Sequence, residues 1–369
     1  MPVPHPFALE RYFARHEFSA RCLLGSSDPE ALTVGDLFAL DPEQASRFPQ
    51  LGLGYTECAG DPELRRQIAR LYETVAEDRV LVFSGAEEPI YAFFQVVLEP
   101  GDHVIVHTPA YASHLEVPRS LGAEVEAWSA DPARNWALDP EDLRRRIRTD
   151  TKVILVSFPH NPTGFLPDPD TWGEILKIAQ DCGAWLLSDE VYRGLEHNPA
   201  DRLPAACDRY ERAVSLSALS KTCGLAGLRL GWVATHDRDL LKRLGTFKDY
   251  LTICNAAPSE FLGRLALEHA EHLFGLHRAR LKANLEHLAA FFQRQARHFA
   301  WERPRAGTTT LPRLRQGNAL DFCDRLVEAT GVMLVPSGFF GMDDDHLRFG
   351  YGRANLPEAL ARLEAWLEG

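Results

Sequence analysis

The run Val153-Ile-Leu-Val-Ser-Phe-Pro-His-Asn-Pro-Thr-Gly164 decides the fold. Its four consecutive aliphatic residues show no alternation, so both faces need covering, as in a parallel strand between helical layers. The prolines and Gly164 then fix a tight turn at the strand's carboxyl end. Residues 80–83, 103–107, 185–188, 213–217 and 228–234 repeat the pattern as short, mostly apolar runs bounded by Gly, Pro or Asp. Helical stretches such as 170–180 stand between them. The alternation predicts an α/β fold with a doubly wound, mostly parallel central sheet. A helix is predicted to start at Asp61-Pro62, where Asp61 can cap free amides and Leu64, Ile68 and Leu71 share an apolar face.

Beyond about Leu244 the pattern changes. Long helical stretches over 259–274 and 276–299 precede short strands near 332–335 and 347–351 and a final amphipathic helix over 356–367, which reads as a smaller α+β domain. The expected division is an N-terminal arm over 1–35 that packs with the small domain, a large domain over 36–245 and a small C-terminal domain over 246–369. The 369 residues, 45% of them hydrophobic, suffice for such a two-domain core.

Composition narrows the class. A formal charge of −12 with interleaved acids and bases is a poor match to nucleic acid. Seven scattered cysteines without a CxxC pair support neither a metal site nor a disulfide framework and fit a cytoplasmic setting. No apolar run approaches the ~20 residues that span a bilayer, and the first residues lack a signal-peptide pattern.

Chemistry gathers where the strands end. In Ser217-Ala-Leu-Ser-Lys-Thr-Cys-Gly-Leu-Ala-Gly-Leu-Arg-Leu-Gly-Trp232, Lys221 follows a strand and sits among Ser220, Gly224, Ala226 and Gly227. Small neighbours let a flat ring lie against the backbone beside a lysine able to form a Schiff base. Arg229 can return to the same anion. Ser84-Gly85-Ala86, between a strand and a helix, makes a second anion-binding element. Asn161 follows the 153–158 strand, and Asp189 ends another at the sheet edge where ligands bind in open α/β sheets. Arg348 lies in a short strand, where a buried arginine needs a carboxylate. Taken singly these are a surface lysine, a helix cap and an ordinary salt bridge.

Their order is more informative. Tyr55…Gly60, Ser84-Gly-Ala86, Pro109-Ala-Tyr111, Asn161-Pro-x-Gly164, Asp189-x-x-Tyr192, Ser220-Lys221, Arg229 and Arg348 together resemble the class I/II aminotransferases of fold type I. The resemblance covers nearly the whole chain. It implies pyridoxal 5'-phosphate (PLP) as cofactor, held by Lys221 as a Schiff base, with Lys221 also moving the substrate's proton. It implies that Asp189 pairs with the pyridine nitrogen, that Tyr192 and Asn161 hydrogen-bond the phenolic oxygen, and that Tyr111 stacks on the ring. Ser84, Gly85, Ala86, Ser220 and Arg229 would hold the phosphate, and Arg348 the substrate carboxylate, with Asn161, Gly25 and Ser26 nearby. Tyr55 would reach the phosphate of a partner subunit, making the active form a homodimer. His160 is expected to be structural, and Thr108-Pro109 and Asn161-Pro162 are expected to be cis.

The implied activity is transfer of an amino group between an amino acid and a 2-oxo acid. Departures from the family pattern keep a second activity open: Ala218 and Ala86 lack hydroxyls found in many relatives, and Leu24-Gly-Ser-Ser-Asp28 replaces a Gly-x-Pro segment. That segment is similar to the capreomycidine synthase-like subgroup, which implies β-elimination, replacement or cyclisation. A PLP-sensing regulator fits poorly, because the stretch before Tyr55 is too short for a helix-turn-helix module. No arginine is clearly placed to select a dicarboxylic substrate, with Arg119, Arg193 and Arg353 left open.

Overall fold

The computed structural model describes residues 4–369. Its main sheet has seven strands: β1 (Val80–Phe83), β2 (His103–Thr108), β3 (Glu124–Ser129), β4 (Thr151–Ser157), β5 (Trp185–Asp189), β6 (Ala213–Ala218) and β7 (Gly231–Ala234). They lie in the order β1-β7-β6-β5-β4-β2-β3. Neighbours from β3 to β6 pair in parallel, and β7 runs antiparallel to both β6 and β1. This is the expected doubly wound, mostly parallel sheet. Strands β1, β2 and β5 to β7 are buried along their whole length, and β4 nearly so, because helical layers cover both faces.

Three local details differ from expectation. Strand β3 was not foreseen: it is an edge strand whose Glu-Val-Glu-Ala-Trp-Ser sequence is largely solvent-facing, with only Trp128 buried. The run 228–234 becomes a strand only at Gly231, since Ala226–Leu228 forms a 3-10 turn and Arg229 adopts a left-handed conformation at φ 47°. The long C-terminal helices divide at His269 instead of Gly275, giving Ala257–Glu268 and Ala270–Arg294. The helix at Pro62–Ala69 starts as anticipated, the Asp61 carboxylate accepting from the Leu64 amide at 2.9 Å. Both expected cis bonds are present, and Phe158-Pro159 is cis as well.

Apolar packing changes partner along Ala270–Arg294. Phe274 joins Leu64, Trp232 and Leu262 beside the large sheet. From Leu281 onward the same helix packs with Phe299, Phe349 and Leu363, and with Leu9 and Tyr12 of the N-terminal helix Ala8–His16. A small antiparallel sheet joins Val335–Pro336, Leu347–Gly350 and Thr309–Thr310 and carries Arg348 on its middle strand. The chain after the first helix is stitched to this region, Gly25 donating its amide to Met333 at 2.7 Å. No helix among the described residues is long and apolar enough to cross a membrane.

Candidate active site

Several strands deliver side chains to one place. Asp189 is the last residue of β5, in register with Ser157 of β4 and Leu216 of β6. Strand β6 ends at Ala218 and runs straight into a helical turn, Leu219–Thr222, which presents Lys221. Between this edge, the N-terminal helix and the small sheet lies a cavity of about 510 Å³. Asn161, Asp189, Tyr192, Ser220, Lys221, Arg229 and Arg348 line it, together with Tyr111, Ala86 and Ser26.

Lys221 Nζ donates to Ser27 Oγ at 3.1 Å. Asp189 accepts from the Val191 amide at 3.1 Å through one oxygen. Its other oxygen is 3.3 Å from Nε2 of buried His114, which is too poorly directed to be a hydrogen bond. Tyr192 donates its hydroxyl to the Ser27 carbonyl at 3.0 Å, and Tyr111 donates to Glu10 at 2.9 Å. Burial pushes the Tyr111 hydroxyl well above its ordinary pKa. It also raises Glu87 to about 7, a rise opposed by His114 and by a hydrogen bond from Ser113.

The turn after β1 is built for an anion. Gly85 sits at φ 80°, and any Cβ there would run into the Arg229 guanidinium, so the cation packs directly against the backbone. Ala86 starts the helix Glu87–Val97 with no side-chain cap, leaving the helix N-terminus open. The Gly85 amide, expected to hold phosphate, donates instead to the Phe83 carbonyl at 3.0 Å. The Ser84 amide is likewise committed, to Glu88 at 2.6 Å. Gly85 therefore contributes the turn's shape and close approach more than a free donor.

Arg348 is 1% exposed. Its Nε donates to the Gly25 carbonyl at 2.9 Å and one terminal nitrogen to Asn161 Oδ1 at 3.2 Å, while the guanidinium lies 5.1 Å from the centre of the Phe340 ring. The carboxylate that would make it an ordinary salt bridge is absent: among the described residues none lies within 4.0 Å. A buried cation so placed is costly until an anion arrives.

Not every expected residue reaches the cavity. Tyr55 stands 91% exposed and away from it. Arg353 pairs with Asp28 at 2.8 Å, Arg119 with Glu116 at 2.7 Å, and Arg193 donates to the Leu203 and Leu71 carbonyls, so none of the three lines the cavity. His160 is buried and held neutral by desolvation, its pKa lowered to about 3, with Nε2 donating to the Pro109 carbonyl at 2.9 Å. Sequence reasoning missed Ser27, His114, Glu87, Glu10 and Glu17, all at the cavity. A signal existed: Phe7, Glu10, Phe13 and Glu17 are spaced three or four apart and so share one helical face.

The donor set suits a phosphorylated pyridine aldehyde. An amine can meet the aldehyde, an acid can face a ring N–H, and a guanidinium beside a helix N-terminus can hold a phosphate. Comparison with known proteins agrees. The model of the family described as Aminotransferase class I and II matches residues 28–363. Capreomycidine synthase from Streptomyces vinaceus is 31% identical over 360 residues, covering 96% of this chain and 92% of that protein. A PLP-dependent aminotransferase from Streptococcus suis superposes with a TM-score of 0.93 at 31% identity, covering 100% of this chain and 98% of that one. The PLP-dependent cyclase OrfR gives 0.92 at 27% identity, with the same coverage. The chain belongs to the class I and II aminotransferase family, and it is a PLP-dependent enzyme.

Proposed function

We propose that the enzyme transfers an amino group between an amino acid and a 2-oxo acid, with Lys221 as the cofactor's point of attachment and the carrier of the substrate's proton. The observation that carries this reading is Arg348: a buried guanidinium with no counter-ion among the described residues, in the same cavity as Lys221 and Asp189, is suited to a substrate carboxylate. When bound, PLP supplies an aldehyde that condenses with amines and an electron-withdrawing ring that weakens the bonds at the substrate's Cα. Asp189 would keep a proton on the ring nitrogen, which that chemistry needs. Tyr111 would pack on the ring, while Asn161 and Tyr192 would serve its phenolic oxygen. Arg229, Ser220 and the first amides of Glu87–Val97 would hold the phosphate. With the cofactor bound, Lys221 Nζ would be the base that takes the substrate's Cα proton and returns it to the cofactor's aldehyde carbon, two atoms along.

A homodimer belongs to this reading, with Tyr55 serving the partner's phosphate site. So does the division into an arm (1–35), a cofactor domain (36–245) and a small domain (246–369). Seven free cysteines fit a reducing, cytoplasmic compartment.

A second reading, elimination or cyclisation, is favoured by the likeness to capreomycidine synthase and to a PLP-dependent cyclase. Both readings begin with removal of the Cα proton. Single-turnover incubation with amino acids, without any 2-oxo acid, separates them. Transamination leaves the cofactor as its amine, with one 2-oxo acid formed per active site. Sustained product release with the cofactor recovered as its aldehyde overturns transamination in favour of the second reading.

A further inference from the structure

We propose that Ser27 is a positioning residue, whose hydroxyl holds the amine of Lys221 in place while that amine takes and returns the substrate's proton; this rests on the function proposed above. The free amine is the form in which Lys221 would do that work, and Nζ donates to Ser27 Oγ at 3.1 Å. Among the described residues no carboxylate lies within 4.0 Å of Nζ, so no ion pair competes for it. Ser27 and Lys221 both line the cavity that Asp189 and Arg348 share.

The segment that carries Ser27 is clamped from several sides. Its carbonyl accepts from the buried Tyr192 hydroxyl at 3.0 Å and from buried Thr308 Oγ1 at 2.7 Å. Gly350 donates its amide to the Leu24 carbonyl at 2.6 Å. A Cβ on Gly350 would fall 1.7 Å from the Ser26 carbonyl oxygen, so the two backbones lie in direct contact. Arg353 pairs with Asp28 at 2.8 Å on the far side. The hydroxyl is thus presented to Nζ by backbone that cannot drift, as a group that steers another must be. Leu24-Gly-Ser-Ser-Asp28, which stands in place of a Gly-x-Pro segment, thereby supplies a hydroxyl that proline lacks.

By accepting from Nζ, the hydroxyl pins the nitrogen at the end of a flexible stem and leaves its lone pair for the substrate. As the Cα–H bond breaks, the electron pair passes toward the cofactor ring and Nζ gains the proton. Ser27 then accepts from an ammonium, a stronger hydrogen bond than from a neutral amine. The return step breaks one N–H bond and forms a C–H bond at the cofactor's aldehyde carbon, while Ser27 keeps its hold on another hydrogen. Loss of the hydroxyl should therefore slow proton transfer and spare substrate binding, which falls to Arg348.

Two measurements on the full chain test this. In the first, cofactor-free protein is treated briefly with acetic anhydride, and acetylation of Lys221 is followed by peptide mass spectrometry. Ser27→Ala, which keeps the carbonyl that Tyr192 and Thr308 hold, should label about three- to tenfold faster than the parent, because the amine is no longer held. Ser27→Thr, which retains a hydroxyl, should label near the parent rate. In the second, the holoenzyme turns over the amino acid that reacts fastest in the single-turnover incubation, with hydrogen or deuterium at Cα. Ser27→Ala should lower kcat by about three- to tenfold, enlarge the deuterium effect and leave KM within about twofold, with Ser27→Thr recovering most of the rate. Labelling equal in Ser27→Ala and parent overturns the proposal, as does a raised KM with kcat and deuterium effect unchanged. No reaction of the holoenzyme with any amino acid sinks the function proposed above, and the labelling then judges the hold of Ser27 on Lys221 by itself.

Discussion

Removing the amine of Lys221 is the sharpest single test, because its side chain makes one modest contact, to Ser27 at 3.1 Å. Lys221→Ala should lose covalent cofactor and its visible absorbance on gel filtration, with turnover down at least about 100-fold and the melting temperature close to that of the parent. Retained turnover excludes Lys221 from the reaction. On the proposed reading Arg348 serves binding: Arg348→Ala should raise KM for the amino acid by roughly 10- to 100-fold, the worth of hydrogen bonds to a charged group, and Arg348→Lys should recover only part because it lacks the planar fork. An unchanged KM places the substrate carboxylate elsewhere. Glu87 gives a pH signature. Its carboxyl holds a proton to about 7 in the fold against an ordinary 4.5, so the unfolded chain ionises first and stability falls as pH rises through that interval, by about 3 kcal/mol. Urea unfolding of the cofactor-free protein should show Glu87→Gln gaining on the parent between those pH values, whereas parallel profiles mean the carboxyl is solvated. Lys221, Asp189 and Arg348 were legible in sequence because each interrupts a strand end or an apolar run with a charge. His114 and Glu87 were not, because nothing in sequence marks which polar residues of a helix face inward.

Among the elements, the turn joining β1 to Glu87–Val97 is the one whose backbone shape bears most directly on the proposed phosphate site. Gly85 is required twice, by its φ of 80° and by the Arg229 guanidinium packed where a side chain would start. Gly85→Ala should cost about 1 kcal/mol in backbone strain and displace Arg229, weakening PLP affinity by about tenfold. Titration of the cofactor-free protein with PLP measures it, and affinity equal to the parent's would dissociate this turn from the phosphate. Elements buried on both faces, such as β4 and β5, were readable because their apolar runs admit little else. Strand β3 was not, since Glu124 and Glu126 alternate outward at the sheet edge and look like loop. The helix Ala8–His16 lies within the stretch expected to be an arm. Its cavity-facing stripe follows from where Leu9 and Tyr12 bury themselves in the core of the small sheet, a tertiary fact that composition and periodicity do not contain.

At the scale of the whole molecule, the surface beside the cofactor turn looks unfinished in a single chain. Leu53, Tyr55, Tyr250 and Ile253 are 81%, 91%, 85% and 53% exposed. The loops carrying them are joined, Thr56 donating to the Asn255 carbonyl at 2.9 Å and Cys58 to Asp249 at 3.2 Å. Thr252 in turn donates to Glu88 at 2.7 Å, which ties this patch to the helix behind Gly85. Ile253 adopts φ 64°, a strained value for a β-branched residue, and such strain persists where neighbouring structure enforces it. Apolar exposure, strain and proximity to the phosphate turn together favour a second copy of the chain against this face, bringing each Tyr55 hydroxyl to the partner's cofactor. Sedimentation should therefore give twice the 41.4 kDa chain mass. Tyr55→Phe should leave that mass unchanged while weakening PLP affinity by about three- to tenfold, the worth of one hydrogen bond. A monomer that turns over at the full rate, or a Tyr55→Phe dimer that holds PLP as tightly as the parent, would show that each chain completes its own site.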